Sequence, residues 1–288
     1  MPTQEILCAV KAVRPLPDVA HRVLRIVQNA DYAIDDLVSV VRTDPTLVAR
    51  VLRLCNSARS GLDTEITSIL DAIAFLGSRN LVQLVLVTCT AGMFAGTRGS
   101  RYSDPTTLWQ HSIACAFACQ ALATRTGEAV AATAFTLGIL HDVGKIAMSR
   151  VADEGRFLAV LSDSASVAML DHVALEQRAF GIDHATAAGL VAAAWQLPPT
   201  LTGALRSHHD DQVFDGEDAL PAILHVADTT VLRAGIGNSF PTATTVLHEA
   251  ALTRLGLRTR DLEALSDTLS AELAKAADLL NLDLAASR

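Results

Sequence analysis

The stretch AFTLGILHDVGK, residues 134–145, places a histidine and an aspartate directly after seven uncharged residues. A histidine and a carboxylate at the end of a buried helix are costly unless something pairs with them, and a metal ion is a frequent partner. Adjacent helical residues point about 100° apart, so His141 and Asp142 cannot lie on one stripe of a helix. They can still converge on an ion that lies beside the helix end. Lys145 follows His141 by one turn and faces the same way, where it could neutralise a phosphate. The stretch therefore predicts a buried helix that ends in a metal or phosphate site.

Further candidate ligands occur along the chain, each within an apolar segment of helical character. In chain order the full set is His111, His141, Asp142, His184, His208, His209 and Asp228. These imidazole and carboxylate groups are enough for one or two divalent ions, with iron, manganese, zinc and magnesium as candidates. We expect Asp142 to bridge two ions, Asp228 to complete the first, and the downstream histidines to complete the second. Two ions a few ångströms apart are a recurring means of activating water against a phosphate ester.

Each candidate also has a structural alternative. A lone histidine is more often a surface residue or a satisfied core residue than a ligand, and this applies to His21, His172, His225 and His248. The adjacent histidines at 208 and 209 could form a solvated helix end before the acidic loop that follows. Asp228 could cap a helix or pair with Arg233. The ordered set, rather than any single residue, favours metal binding.

The composition is that of a globular helical chain. Half of the 288 residues are hydrophobic and only 4% are aromatic, while alanine, leucine and valine make up most of the apolar residues. The formal net charge of -8 argues against a general affinity for nucleic acid or anionic membranes. No basic stripe with interleaved aromatic residues is visible. We therefore expect neither direct nucleic-acid binding nor membrane association.

The five cysteines form no C-x-x-C pair, which favours small core residues in a reducing cytoplasm. Cys115 and Cys119 lie four residues apart near His111, but they lack the paired spacing that is typical of Cys/His zinc sites. The N-terminus has no basic flank ahead of a long apolar core, so it does not resemble a signal peptide. The most apolar run, 81–95, is too short to span a bilayer. These features predict a soluble cytoplasmic protein.

Helix signals dominate and strand signals are nearly absent, so the predicted fold class is all-α. Asp-Pro pairs at 44–45 and 104–105 are typical helix starts, and Gly127 is expected to end the second of these helices. Asp183 and Asp218 are expected to cap two further helices. The polar, glycine-rich stretch 96–104 is the best candidate linker, and 235–241 is a second break. We expect an N-terminal segment (1–15), an N-terminal helical subdomain (16–100), a second helical subdomain with the His/Asp cluster (101–236), and C-terminal helices (237–288).

The order of His111, His141-Asp142 and Asp228 resembles the H…HD…D pattern of the HD-domain metal-dependent phosphohydrolases. His184, His208 and His209 match the extra histidines of the HD-GYP branch, which hydrolyses cyclic dinucleotides. The chain departs from that branch after His209, where it reads DDQVFDGE and lacks the Gly-Tyr-Pro signature. Specificity for cyclic di-GMP is therefore not implied.

Motifs in both halves of the chain resemble the HDOD family, in order, from about Pro15 to His209. They are LPDVA (16–20), DPTL (44–47), NSA (56–58), the segment 69–77, LGILHDVGK (137–145) and WQLP (195–198). The resemblance implies an HD-domain-like helical bundle with an added N-terminal helical subdomain. It also implies a bacterial signalling or regulatory module that acts through protein partners. HDOD proteins often have degraded metal ligands, whereas this chain retains an apparently full set.

The retained ligands keep a second function open, a metal-dependent phosphohydrolase or phosphodiesterase that acts on a nucleotide. In that case Asp142 would bridge the metals and orient the attacking water, and Lys145 would hold the phosphate. The added N-terminal residues favour the regulatory module, because a minimal HD hydrolase would not need them. An open, polar pocket at the cluster would favour hydrolysis, whereas a pocket filled by Trp109 or another bulky side chain would favour the module.

Overall fold

The computed structural model describes residues 4–29, 31–58, 65–95, 102–128, 131–151, 171–236, 246–264 and 266. Within these ranges the chain forms fourteen α-helices, one short 3-10 helix (Asp211–Val213) and no β-strand, which confirms the all-α prediction. The helices are α1 (Gln4–Ala12), α2 (Asp18–Val27), α3 (Ile34–Val41), α4 (Pro45–Ala58), α5 (Ile69–Leu76), α6 (Ser78–Ala95), α7 (Pro105–Thr126), α8 (Ala131–Leu140), α9 (Val143–Ser149), α10 (His172–Phe180), α11 (His184–Ala194), α12 (Pro199–Ser207), α13 (Leu220–Arg233) and α14 (Glu249–Arg254).

Several helix ends have the caps that the sequence predicts. Asp104 accepts a hydrogen bond of 2.8 Å from the Thr107 N–H in the first turn of α7. Gly127 ends the same helix with a φ of 71°, a left-handed conformation that glycine adopts without strain. Asp183 caps α11 by accepting a hydrogen bond of 2.7 Å from the Thr186 N–H. These local signals place the helices that carry the predicted ligands.

Two glycines allow the closest helix contacts around the predicted His–Asp pair. A Cβ at Gly138 of α8 would lie 2.6 Å from the backbone of Ala116 in α7. A Cβ at Gly144 of α9 would overlap the backbone carbonyl of His184 in α11. Only glycine lets these helices approach so closely. Since α8 ends and α9 begins at the His–Asp pair, the two contacts fix where that pair lies in the fold.

The N-terminal helix α1 packs on α9 and α11, which belong to the predicted second subdomain. Residues 96–101 of the candidate linker and residues 267–288 lie outside the described ranges. Of the predicted C-terminal helices (237–288), the described ranges include α14. The division of the chain into four parts stays a prediction.

The Asn56 side chain ties the end of α4 to the segment before α5. Its amide nitrogen donates hydrogen bonds to the carbonyls of Leu52 and Ile66, both 2.9 Å, and its oxygen accepts one from the Ile66 N–H at 2.9 Å. Asn56 therefore has a structural role in the family motif at 56–58. The side chains of residues 57 and 58 lie outside the description.

No single helix in the described ranges is both long enough and apolar enough to cross a membrane. Helices α5 and α6 together reach the required length and composition over Ile69–Leu76 and Ser78–Phe94, but the pair is bent by 115°.

Candidate metal centre

The predicted ligands come together from five places in the fold. His111 lies on α7, the His141-Asp142 pair between α8 and α9, and Lys145 on α9. His184 is the first residue of α11, the two adjacent histidines follow α12, and Asp228 lies on α13. All of these side chains except His209 are buried, and His141 and Asp142 are completely inaccessible. Residues separated by up to 117 positions thus form one cluster.

One half of the cluster is built around Asp228. The Nε2 atom of His111 lies 2.9 Å from the Asp228 Oδ1 atom and 3.7 Å from the Asp142 Oδ2 atom. The Nε2 atom of His141 lies 3.4 Å from Asp142 Oδ2 and 3.7 Å from Asp228 Oδ1. Two imidazoles and two carboxylates therefore share one small volume.

The other half contains the downstream histidines. The Nε2 atoms of His184 and His209 lie 3.0 Å apart, and the His208 ring lies 4.2 Å from the His209 ring, centre to centre. The Asp142 Oδ1 atom is 3.7 Å from His184 Nε2, whereas the Asp142 Oδ2 atom faces the first half. Asp142 thus lies between the two halves, as the predicted bridging role requires. The alternative of a solvated helix end at 208 and 209 does not hold, because both rings belong to the cluster.

Hydrogen bonds on the far side of three rings fix their orientation. The Nδ1 atoms of His141 and His208 lie 2.7 Å and 2.8 Å from the carbonyl oxygens of Gly138 and Leu205. The Nδ1 atom of His184 lies 2.7 Å from the Glu176 Oε2 atom. Because these oxygens only accept, each Nδ1 must carry the proton, and each Nε2 is turned toward the cluster. Histidines that bind metals are commonly held in this way.

His111 faces two acceptors. Its Nδ1 atom lies 3.1 Å from the Ile236 carbonyl oxygen, and its Nε2 atom lies 2.9 Å from the Asp228 carboxylate. A neutral imidazole has one N–H and serves only one of them. Either a second proton or a cation near Nε2 resolves the conflict. Asp228 pairs with His111 here and not with Arg233, the alternative raised by the sequence.

The protonation states of the cluster side chains depend on burial and on the charged groups beside them within the cluster. Burial alone would raise the pKa values of Asp142 and Asp228, but the neighbouring histidines hold both pKa values well below the ordinary value. Burial would lower the pKa of Lys145, yet the Asp142 carboxylate, 2.9 Å from its Nζ atom, raises it. Burial lowers the pKa values of His141, His208 and His209. The cluster thus combines two carboxylates and a lysine, all charged, with mostly neutral imidazoles.

Three buried atoms of the cluster have no hydrogen-bond partner among the described residues. They are His141 Nε2, His208 Nε2 and Asp142 Oδ1. Each unmet atom of this kind costs about 1–3 kcal/mol. All three can donate a lone pair, and a divalent cation accepts lone pairs from nitrogen and carboxylate oxygen. The residues present therefore fit a metal ion.

Two further residues lie next to the predicted ligands: Glu176, which was not expected from the sequence, and Cys115, which was expected to be a core residue. Glu176 accepts hydrogen bonds from the ring and backbone of His184 and from the Tyr102 hydroxyl (2.8 Å). Cys115 places its sulfur 3.4 Å from His111 Nε2. Cys115 follows His111 by one helical turn, which is a signal in the sequence. Glu176 has no such signal, because a break at Gly181 separates its helix from the helix of His184.

A pocket of about 70 Å³ opens onto the cluster, enough space for about two water molecules. Its walls include Lys145, His184, His209 and Asp228, and Trp109 is not among its lining residues. Two larger cavities of about 490 Å³ each lie elsewhere, one against α6 and α8 and one against α2 and Trp195. The cluster is therefore approached through a small opening lined by both polar and apolar side chains, and Trp109 does not fill it.

The remaining histidines lie outside the set of converging Nε2 atoms. His225 is a satisfied core residue, with its Nδ1 atom 2.9 Å from the His208 carbonyl oxygen and its Nε2 atom accepting from the His248 N–H at 3.1 Å. His172 and His248 line the pocket farther out. His21 lies on α2, away from the cluster. The structural alternative for a lone histidine is thus correct for His225.

A family model for the HDOD domain matches residues 13–211, more than two thirds of the chain. The chain belongs to the HDOD family. The matched range agrees with the resemblance expected from the motifs between Pro15 and His209. The matched range includes the helical part before α7 and all of the predicted ligands except Asp228, which lies on α13 beyond residue 211.

Solved structures share the fold of this HDOD chain. An HDOD domain protein of unknown function from Geobacter sulfurreducens superposes with a TM-score of 0.73 at 24% identity, covering 95% of this chain and 97% of that one. A protein from Shewanella amazonensis SB2B, provisionally described as a phosphohydrolase, gives 0.67 at 24% identity over 97% and 98%. A protein from Marinobacter aquaeolei VT8, provisionally described as a signal transduction protein, gives 0.70 at 22% identity over 94% and 60%. At these identities the likeness shows the fold alone.

A curated relative is an uncharacterized protein of Treponema pallidum (strain Nichols), 26% identical over 196 residues. The matched region is 68% of this chain but 37% of that protein. The HDOD chain thus spans little more than a third of that relative.

Proposed function

We propose that this HDOD chain is a signalling and regulatory module that acts through protein partners, and that its His/Asp cluster binds one or two divalent metal ions. One observation carries the metal site. Imidazole Nε2 atoms and two ionised carboxylates converge in a buried space where His141 Nε2, His208 Nε2 and Asp142 Oδ1 have no partner among the described residues. A metal ion would satisfy all three groups at once.

The cluster divides naturally between two ions. His111, His141 and Asp228 would hold one ion, and His184, His208 and His209 would hold the other. Asp142 faces both halves with different oxygens. Burial would lower the pKa of His184, but the Glu176 carboxylate raises it above the ordinary value. A metal therefore competes with a proton at His184, and binding to the second half should weaken as the pH falls.

The exposed apolar side chains support a protein partner. Ile34, Leu70, Phe75 and Val246 are the large apolar side chains that are exposed in the described ranges. The first three belong to α3 and α5, which contact each other in the added N-terminal part. Contiguous exposed apolar surface is typical of protein interaction sites. We expect a partner to dock on α3 and α5, the contacting helices that carry three of these side chains.

Metal content tests the proposal. We expect protein purified without chelator, then loaded with zinc or manganese, to contain one or two equivalents by elemental analysis. The His141→Ala variant should lose the ion of the first half, because it loses the Nε2 ligand atom. It also loses the single Nδ1 hydrogen bond to the Gly138 carbonyl, and its helical circular dichroism should be kept. His21→Ala is the matched control, since His21 is remote from the cluster, and it should keep full metal content. Equal metal content in wild type and His141→Ala would contradict the metal site.

A second candidate function is hydrolysis of a phosphate ester. The observation that favours it is the small pocket whose wall includes Lys145 and, at the edge of the cluster, His184, His209 and Asp228. A bound divalent ion would supply Lewis-acid polarisation of a phosphoryl oxygen. Lys145, held by Asp142, presents a positive charge at the pocket wall that can neutralise a phosphate. The carboxylate of Asp142 can orient a water by accepting its hydrogen bond.

Lys145→Met separates the two functions, because it removes the charge and keeps much of the side-chain volume. If the chain is a phosphohydrolase, metal-loaded wild type should cleave cyclic or linear nucleotides, and Lys145→Met should keep its metal and lose most of the activity. If metal-loaded wild type cleaves no member of a nucleotide panel, hydrolysis is excluded and the regulatory role remains.

A further inference from the structure

Cys115 lies within the first half of the cluster. Its sulfur is 3.4 Å from the Nε2 atom of His111, one helical turn earlier on α7. The ligand atoms of Cys115, His111, His141 and Asp228 all lie within 4.8 Å of one another, and all four residues are buried. One of these atoms, His141 Nε2, has no hydrogen-bond partner among the described residues. The sulfur therefore shares a space in which a buried lone pair is left without a partner.

We infer that Cys115 is a thiolate ligand of the metal ion in the first half of the cluster, so that this half selects a thiophilic ion such as zinc or iron over magnesium. The inference rests on the proposed metal site and adds a ligand that the H…HD…D pattern does not contain. Two nitrogens, an Asp228 oxygen and a sulfur, with Asp142 Oδ2 beside them, form a mixed nitrogen, oxygen and sulfur set of the kind that zinc binds. Magnesium, which prefers oxygen ligands, would be excluded.

Cys119 shows that burial alone does not explain the position of Cys115. Cys119 lies one turn later on α7 and is equally buried. Burial raises the pKa values of both thiols well above the ordinary value, so both are neutral in the metal-free protein. Only Cys115 belongs to the group of converging ligand atoms. When the ion binds, the S–H bond of Cys115 breaks, the sulfur bonds the metal, and the proton leaves to solvent.

The alternative is a hydrogen-bonded core thiol. The distance of 3.4 Å also allows the S–H group to donate to His111 Nε2. That hydrogen bond would pair the thiol but would leave His141 Nε2 without a partner. A metal ion would bond both the Cys115 sulfur and His141 Nε2. The two explanations differ in whether a metal–sulfur bond forms.

Cobalt spectroscopy decides between them, because a cobalt–thiolate bond gives a near-ultraviolet charge-transfer band that nitrogen and oxygen ligands do not give. We expect wild-type chain titrated with Co²⁺ to show this band, saturating at one thiolate per chain. Cys115→Ser should bind cobalt without the band and should lose zinc affinity by at least about tenfold. Cys119→Ser, the matched control, should keep both the band and the zinc affinity.

Wild-type protein alone supplies a second measurement if Cys115→Ser fails to fold. X-ray absorption at the zinc edge should show one sulfur at about 2.3 Å from zinc. Cobalt or zinc bound at full stoichiometry with only nitrogen and oxygen ligands would overturn the role of Cys115 and leave the proposed metal site intact. Absence of any cobalt or zinc binding would overturn both.

Discussion

Two histidines of the cluster follow a helix directly and bond back to it. His141 comes after the last residue of α8 and His208 after the last residue of α12, and each places Nδ1 against the carbonyl three residues earlier. The last carbonyls of a helix have no partner within the helix. A histidine just past the end can use one of them, which turns its Nε2 atom away from the helix. The same local geometry thus aims two lone pairs at the cluster.

Glu176 is the residue whose charge should matter most outside the ligands. Its Oε2 atom accepts from the backbone and ring N–H groups of His184, each at 2.7 Å. In Glu176→Gln the negative charge is lost, and an NH₂ group, which donates, replaces one of the two oxygens that accept from His184 and Tyr102. We expect zinc affinity to fall about 10–100-fold, as for other partners of ligating histidines. The measurement is a zinc titration against a chelating dye.

Glu128→Gln provides the control for that prediction, because Glu128 is exposed and lies apart from the cluster. It should leave zinc affinity unchanged. An affinity that is the same in Glu176→Gln as in wild type would show that the orientation of His184 does not depend on the carboxylate.

At the scale of helices, the contact between α9 and α11 should tolerate no side chain at Gly144. A Cβ there would overlap the backbone of His184, so Gly144→Ala should lower the free energy of unfolding by about 1–3 kcal/mol or more. It should also weaken metal binding, since Asp142 directly precedes α9 and His184 begins α11. Urea unfolding followed by circular dichroism measures the first effect.

Gly203→Ala is the matched control, because it places the same substitution in a helix where the added Cβ contacts no other atom. A Cβ at Gly203 of α12 meets nothing within 4 Å, and alanine is favoured over glycine in a helix by up to about 1 kcal/mol. We therefore expect this variant to be as stable as wild type or more stable. Equal losses in the two variants would mean that helix propensity, and not the α9–α11 contact, determines the result.

The elements were largely predictable because their signals are local. The Asp104 and Asp183 caps and the Gly127 end depend only on residues within a turn of each other, and they appear as predicted. The convergence of His111 with Asp228 could be expected only from a family pattern, because 117 positions separate them. Glu176 could not be expected at all, since its contact with His184 depends on how α10 turns back at Gly181.

For the whole molecule, the buried histidines predict a stability that depends on pH. Burial holds the pKa values of His225 and His172 at about 4, below the ordinary 6.5, and it also lowers those of His208 and His209 well below the ordinary value. The unfolded chain then binds more protons than the folded chain below 6.5. The free energy of unfolding should have its full value above pH 6.5 and should decrease as the pH falls toward 4. His184, whose pKa is raised, opposes this trend but is a single group.

Urea unfolding of metal-free protein at several pH values checks this prediction. The free energy of unfolding should drop by a few kcal/mol between neutral pH and pH 4, and His225→Gln should flatten the slope. The carboxylates Asp142 and Asp228 act mainly below pH 4, because their ordinary pKa is 3.8. A stability that stays constant down to pH 4 would contradict the neutral, buried state of these histidines.

The cluster exists only in the assembled molecule, because α7, α11, α13 and the ends of α8 and α12 each supply part of it. A metal ion would therefore hold these helices together, and the metal-loaded protein should be more stable than the metal-free protein. This link between site and fold suits a regulatory module, since the occupancy of the cluster can reach the whole helical bundle.

Anomalous scattering from crystals of the zinc-loaded HDOD chain, collected on both sides of the zinc edge, locates the metal. We predict a strong anomalous peak within bonding distance of His141 Nε2 and the Asp228 carboxylate. A second peak beside His184, His208 and His209 would give the two-ion form. If crystals at saturating zinc show ordered water in this space and no anomalous peak there, the result would contradict a metal site in the cluster.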